Sequence, residues 1–274
     1  MPREEDKEHN RTLKRTVKKI RKLLDNKQYY PRANVMLDRV VLALVSKSVN
    51  VAQGVVSLID AGLPEEAFGL SRTLVEVALS LRFVTNRDSE RRANRFAHYS
   101  AKWKLELIRR AVKHFKAQDS KGQLQPKYTK TQLRKMTPDY KRMVKLARKY
   151  PKRFAAGWSG KNVREMALEA DGHDKIDGKP VVWEFDYDWI YAWTSQYVHA
   201  TAACMDSHVT EPREAFVVQI APERTLGVGT SAVVNTALYL WKILRMAFPA
   251  LGGSFPAELS DPLEKLLLKI YATA

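Results

Sequence analysis

Residues 62–85 read GLPEEAFGLSRTLVEVALSLRFVT, and this run decides the fold class. Gly62 can take the left-handed conformation that stops one helix. Pro64 suits the first turn of the next helix, and Glu65 and Glu66 complement its N-terminal dipole. From Ala67 onward the run is largely apolar, as expected of a helix with neighbours on several sides. Its internal charges Arg72 and Glu76 stand four residues apart and so share a helical face. Isolated buried charges are expensive, so these two are expected to pair with each other or to serve a site.

Outward from this helix the same periodicity recurs. Leu13, Val17, Ile20 and Leu24 are spaced by three and four among lysines and arginines, which predicts a basic amphipathic helix over about 9–26. A helix over about 32–61 carries Val40, Val41, Leu44, Val45, Val49, Ala52 and Val56 and ends at Gly62. After the run above, a helix capped near Asp88 or Ser89 continues to about Ala117. Residues 118–130 read as a polar loop, followed by a short helix that Pro151 ends and another over about 161–170. A loop over 171–182 leads into a long helix over about 186–209, and helices over about 228–248 and 259–271 complete the chain. The fold class expected is all-α: a mainly antiparallel helical bundle with a basic helical insertion lobe, and at most one or two short strands near 180 and 216. The expected organisation is a basic N-terminal helix over 1–30 and a single helical domain over 31–274 that includes the lobe, 101–165.

Composition narrows the class further. The 274 residues are 45% hydrophobic and 28% charged, which excludes a disordered or collagen-like chain, and one cysteine, Cys204, excludes an internal disulfide. The opening MPREEDKEHNRTLKR has no apolar core of a secretory signal, so a reducing, cytoplasmic setting is expected. The most apolar stretches, Val35–Ala61 and Val228–Phe248, are each interrupted by charged and amide side chains. They read as buried helices, and no membrane partner is expected.

The net charge of +17 is unevenly spread. Residues 101–165 hold 20 basic and 4 acidic side chains, whereas 166–274 hold 8 and 14. Such a lobe attracts polyanions by phosphate neutralisation, and the aromatics among its charges, including Trp103, Tyr140, Tyr150 and Trp158, are suited to stacking on bases. Lys141, Arg142, Lys145, Arg148, Lys149, Lys152 and Arg153 are the candidate nucleic-acid contacts. The plainer reading is a solvated helical face.

A second constellation lies elsewhere. Tyr187, Tyr191, Ser195 and His199 step by four along the late helix, and Asp206 lies seven further on. If this stripe faces Arg72 and Glu76, a guanidinium, a carboxylate, an imidazole, a hydroxyl and two phenols converge. Histidine can move protons near neutral pH and arginine can hold phosphate or carboxylate, so the set suits an anionic ligand. A serine hydrolase is disfavoured, because Ser195 lies within a helical pattern without a strand–turn–helix elbow. The structural alternative is an ion pair joined to a satisfied Ser195–His199 network. No metal and no cofactor are expected.

The ordered set Gly62-Leu63-Pro64-Glu65-Glu66-Ala67, Ser71-Arg72-Thr73-Leu74-Val75-Glu76, Trp158, Val163-Arg164-Glu165-Met166-Ala167 and Tyr191–His199 resembles the bacterial domain-of-unknown-function family numbered 5677 over about 35–205. That resemblance implies a largely helical fold and supplies no reaction. A second resemblance is to helical ribonucleases of the HEPN type, found in toxins and phage defence, which carry arginine followed after four to six residues by histidine. Arg92 and His98 match with five intervening residues, although Ala93 stands where a polar residue usually follows the arginine.

Together these readings lead to the expectation of a helical protein that binds nucleic acid, RNA above all, or another polyanion. Its enzymatic version is a metal-independent endoribonuclease of a toxin or phage-defence system. In that version His199, Arg72, Glu76, Ser195 and Tyr191, or alternatively Arg92 and His98, form the catalytic set: histidine moves the 2′-hydroxyl proton and arginine stabilises the phosphorane. The rival is a non-enzymatic module that binds nucleic acid or a protein partner, with homodimerisation open.

Overall fold

The computed structural model describes residues 4–25, 32, 35–119, 144–145, 148, 158–171, 175–176, 179–180, 182–198, 209–210, 217–218 and 226–273. In chain order these form α1 (Glu4–Asp25), α2 (Met36–Asp60), α3 (Pro64–Asn86), α4 (Ser89–Asp119) and α5 (Val163–Ala170). After β1 (Lys175–Ile176) and β2 (Lys179–Pro180), a short α6 (Trp183–Phe185) runs directly into a π-helical turn (Asp186–Tyr191) and then α7 (Ala192–Val198). β3 (Val209–Thr210), β4 (Val217–Val218), α8 (Leu226–Ala250) and α9 (Ala257–Thr273) follow. Among the described residues the fold is all-α apart from two antiparallel ladders, with Lys175 opposite Pro180 and Val209 opposite Val218.

The chain divides into two compact units, Met1–Asp88 with Val163–Ala274, and Ser89–Asn162. In the first, α3 is the central element, packed by α2, α8, α7 and α5. Its Leu74, Val75, Ala78, Leu79 and Leu81 are fully buried, which is why the run is apolar on nearly every face. α8 supplies Tyr239, Leu240, Ile243 and Leu244 to the same core, and α2 supplies Val41, Ala52 and Val55. Each such aliphatic or aromatic side chain stabilises the fold by about 1.5–3 kcal/mol through area removed from water. α2 is long and apolar enough to cross a membrane by length and composition alone. Its buried residues, among them Val41, Leu44, Val45, Ala52 and Val55, belong to the core that it forms with α3 and α8.

The α2–α3 hairpin forms as the local sequence dictates. Gly62 has φ +77°, its amide donates to the Ile59 carbonyl at 3.0 Å, and the Leu63 amide donates to the Leu58 carbonyl at 2.8 Å. This is the paired closure that requires a left-handed residue after a helix, and it turns the chain back within three residues so that α3 lies antiparallel to α2. Gly252 ends α8 in the same way, with φ +82°.

α1 uses its apolar stripe, Leu13, Val17 and Ile20, to pack on α2, α9 and α8. Its polar side is tied to α2, where Asn10 Nδ2 donates to Asp60 Oδ1 at 2.7 Å and Lys14 meets Asp60 at 2.6 Å. In the second unit, Trp158 sets its ring edge-on to Phe96 at 4.8 Å.

One expectation is corrected. The four-residue stripe implies an ordinary α-helix from about 186, but the helix starts at Trp183 and residues 186–191 wind as a π-helix. Asp171 accounts for the earlier start, since its carboxylate accepts the Trp183 amide and, at 3.2 Å, the Glu184 amide, two donors otherwise unmet at a helix N-terminus. Of the remainder of the helix expected to 209, residues 199–208 lie outside the described residues and Val209 is in β3. Of the loop expected over 118–130, residues 118 and 119 are instead the last of α4, and 120–130 lie outside the described residues. Of the expected short helix before Pro151, Val144, Lys145 and Arg148 are described, and all three are helical.

Candidate functional site

α3 and the helix through Tyr191 meet along one side of the first unit. Gly69 permits the approach: a Cβ there would sit 3.3 Å from Val198 Cγ2 and 3.7 Å from the Val198 backbone nitrogen. Phe68, one residue earlier, receives Trp193 and Tyr197 edge-on at 5.7 and 5.2 Å. Three residues beyond Gly69, Arg72 reaches the second helix.

There the Arg72 guanidinium donates to the Tyr191 hydroxyl at 2.6 Å, lies over the Tyr191 ring at 4.4 Å and pairs with Glu76 at 3.2 Å. In the bond to Tyr191 the guanidinium donates and the phenol oxygen accepts. Burial pushes the Tyr191 phenol up from its ordinary value and the Glu76 charge adds to this, against the opposing pull of Arg72. Tyr187 stacks on Tyr191 at 5.0 Å and extends the aromatic wall. The cluster is only partly enclosed, with Arg72 18% and Glu76 41% exposed at the side chain. Both charges were expected to face inward or toward a partner helix; Arg72 does so, and Glu76 also reaches solvent.

Of the five residues proposed from the sequence, the fold thus joins Arg72, Glu76 and Tyr191. Ser195 sits one turn away, but its hydroxyl donates to the Tyr191 carbonyl at 2.6 Å and so faces its own helix backbone. His199 lies outside the described residues. What the described groups form is a triad in which one end of the arginine is shared between two oxygens, the Tyr191 hydroxyl and the Glu76 carboxylate.

The π-helical turn beneath this triad is held by a pair that the sequence pattern did not single out. Asp186, its first residue, and Lys242 in the middle of α8 are both buried and meet at 2.5 Å. The ammonium lies 4.7 Å from the Trp183 ring and 5.2 Å from that of Tyr239, so aromatic faces replace part of its hydration. Burial pushes the Asp186 carboxyl up from its ordinary value, while Lys242 and the Tyr239 hydroxyl pull it back down. A lysine interrupting the apolar run 228–248 was the available signal, because a charge inside a core helix implies a buried counter-charge. On the solvent side, Arg164 bridges Glu184 at 2.7 Å and Asp188 at 3.3 Å.

In the second unit, Arg92 is buried and His98 half-buried on the unbroken α4. Six positions on an α-helix leave two side chains off a common face. Farther along α4, Trp103 and Leu107 are 52% and 51% exposed, one turn apart, and Lys104, Arg109, Arg110 and Lys113 are exposed around them. Lys145 and Arg148 are likewise exposed. Lys141, Arg142, Lys149, Lys152 and Arg153 lie outside the described residues.

No curated protein and no solved structure matches the chain. A family model does match, over residues 38–216, a span that runs from α2 to just before β4 and contains the whole Arg72–Glu76–Tyr191 triad. The chain belongs to the family of unknown function DUF5677.

Proposed function

We propose that the protein binds single-stranded nucleic acid, RNA foremost, through the basic segment 101–165, and that the Arg72–Glu76–Tyr191 triad is a structural joint rather than a reaction centre. The observation that carries this reading is the exposed surface of α4, where a half-exposed tryptophan and leucine share a side with Arg110 and where Lys104, Arg109 and Lys113 are exposed on the flanking sides. A solvated helical face needs no large apolar side chains in water. An aromatic ring among cations, by contrast, gives a base something to stack on while the phosphates are neutralised. The excess of basic residues in 101–165 extends the same field. The engagement of the Arg72 guanidinium with both Glu76 and Tyr191 supports a structural role for the triad.

The test is fluorescence anisotropy with a labelled oligouridylate across a salt series. Affinity should fall steeply with salt, at about 0.7 logarithmic units per neutralised phosphate for a single strand. Neutralising Arg109, Arg110 and Lys113 together should flatten that slope, whereas Trp103→Ala should weaken binding at every salt concentration by about 1–3 kcal/mol and leave the slope alone. Salt-independent binding, or affinity untouched by both changes, would sink the proposal. Cleavage of the oligonucleotide by the intact protein would restore the ribonuclease reading.

A further inference from the structure

α1 carries a row of cations that belongs neither to the triad nor to the basic segment. Residues 11–22 read RTLKRTVKKIRK, with seven basic side chains and no acidic one, and all seven are exposed. Leu13, Thr16, Val17 and Ile20 of the same stretch are buried, so the cations hold the outer side of the helix. Two of them have tasks in the fold, since Lys14 pairs with Asp60 and Arg21 donates to the Gln53 side chain of α2.

Among the described residues, Arg15, Lys18, Lys19 and Lys22 form no ion pair. On a helix of 3.6 residues per turn they fall within an arc of about 100°. Arg15 and Lys22 each stand three or four residues from both Lys18 and Lys19, so every member of the four has two like charges as helical neighbours. Like charges at that spacing destabilise a helix, whereas a face that is merely solvated gains from alternating signs. The arrangement therefore opposes folding, and a polyanion lying against it relieves the repulsion.

The row also selects among polyanions. One cation per about 2.5 Å of helix is denser than the phosphates of a single strand, at about 3.4 Å each, so the charge of a duplex, one per about 1.7 Å, is needed to neutralise it. α1 contains no phenylalanine, tyrosine or tryptophan, and among the described residues neither α1 nor α2 exposes a large apolar side chain. Unstacked bases find no ring to rest on there, and a bilayer receives nothing to bury. A duplex, whose bases are already stacked, requires only that its phosphates be neutralised.

We infer that the outer face of α1 binds the phosphate backbone of a double-stranded nucleic acid through Arg15, Lys18, Lys19 and Lys22, without reading its sequence. This surface is separate from the single-strand site on 101–165 and does not depend on it.

Fluorescence anisotropy of the full-length protein with a labelled blunt-ended DNA duplex, over a salt series, tests the inference. The variant carries Arg15→Gln, Lys18→Gln, Lys19→Gln and Lys22→Gln together, glutamine being a comparable helix former at these exposed positions. Duplex affinity should fall at least tenfold, and the salt slope should fall by about 0.9 logarithmic units per lost contact. Affinity for oligouridylate should change far less, and the melting temperature should hold or rise as the like charges are removed. Duplex binding that depends on the row would support the inference even if oligouridylate does not bind at all, an outcome that removes only the single-strand reading. Absence of duplex binding by the parent, an unchanged duplex affinity and slope in the variant, or an equal loss for both probes would overturn it. So would loss of binding to phosphatidylserine vesicles with duplex affinity retained, which would assign the row to a membrane surface. A variant that melts well below the parent would assign the cations to the fold instead.

Discussion

Asp186 and Lys242 are separated by 56 residues and meet at 2.5 Å inside the first unit, joining the start of the π-helical turn to the middle of α8. The Trp183 and Tyr239 rings flank the ammonium, so the pair has little water to fall back on if either partner is removed. Lys242→Met should therefore destabilise the protein by about 3–5 kcal/mol, because it leaves a buried carboxylate unpaired. The double variant Asp186→Leu, Lys242→Met should lose much less, since no charge is then stranded. Urea unfolding of the two singles and the double measures the coupling; a double variant as unstable as the sum of the singles would mean that the pair does not interact.

The triad on α3 should respond more gently, because Glu76 reaches solvent. Glu76→Gln is expected to cost under about 1 kcal/mol, in the range of partly exposed ion pairs. Tyr191→Phe removes the hydrogen bond to Arg72 while keeping the ring beneath the guanidinium, for a loss of about 1 kcal/mol. Arg72→Ala and Tyr191→Phe should be non-additive in a double-mutant cycle, and RNA affinity should be unchanged in both. Loss of RNA binding in stable Tyr191→Phe protein would assign the triad a role in recognition.

Gly69 sets two effects of similar size against each other. Alanine has a helix propensity advantage of about 1 kcal/mol over glycine, yet its Cβ would press on Val198 at 3.3 Å. Gly69→Ala should be near neutral. Gly69→Val adds methyl groups where there is no room and should cost about 1–3 kcal/mol by overpacking. Thermal melts of the two variants decide this, and equal stability would show that the late helix shifts freely on α3.

Asp38 makes stability depend on acid. Its buried carboxylate accepts the Arg32 backbone amide at 2.8 Å and the Arg32 guanidinium at 2.7 Å. The hydrogen bond from the guanidinium holds its carboxyl below the ordinary 3.8, against the opposing effect of burial. Because the folded state binds that proton less readily than the unfolded chain, the contribution is complete above about pH 4 and disappears as pH falls through the lowered folded value. Asp38→Asn should therefore lower the melting temperature at pH 6, and its deficit relative to the parent should shrink as pH is lowered towards 2. A deficit that stays constant with pH would show that the charge is not what Asp38 contributes.

Much of the first unit was legible before any tertiary structure. The α2–α3 hairpin follows from Gly62, Pro64 and the apolar spacing, which act over a few residues through backbone conformation and helix dipole. The pairing of Arg72 with Glu76 was legible for the same reason, since a four-residue step is a property of one helix. The basic character of α4 was equally plain, because net charge is additive along the chain. Ser195 was not decidable from spacing: a hydroxyl on the right face can still turn to a carbonyl of its own helix, as it does to that of Tyr191.

The sequence by itself determined the all-α class, the hairpin and the location of the positive charge, because periodicity, capping and charge are local or additive. Tertiary structure alone decided that Tyr191, rather than a hydroxyl farther along the stripe, meets Arg72 from 119 positions away, and that Lys242 finds Asp186. Those choices depend on which faces pack together. The π-helical turn inserts an extra residue into its winding and rotates every later side chain about the helix axis, a change of phase that no count of four-residue steps contains.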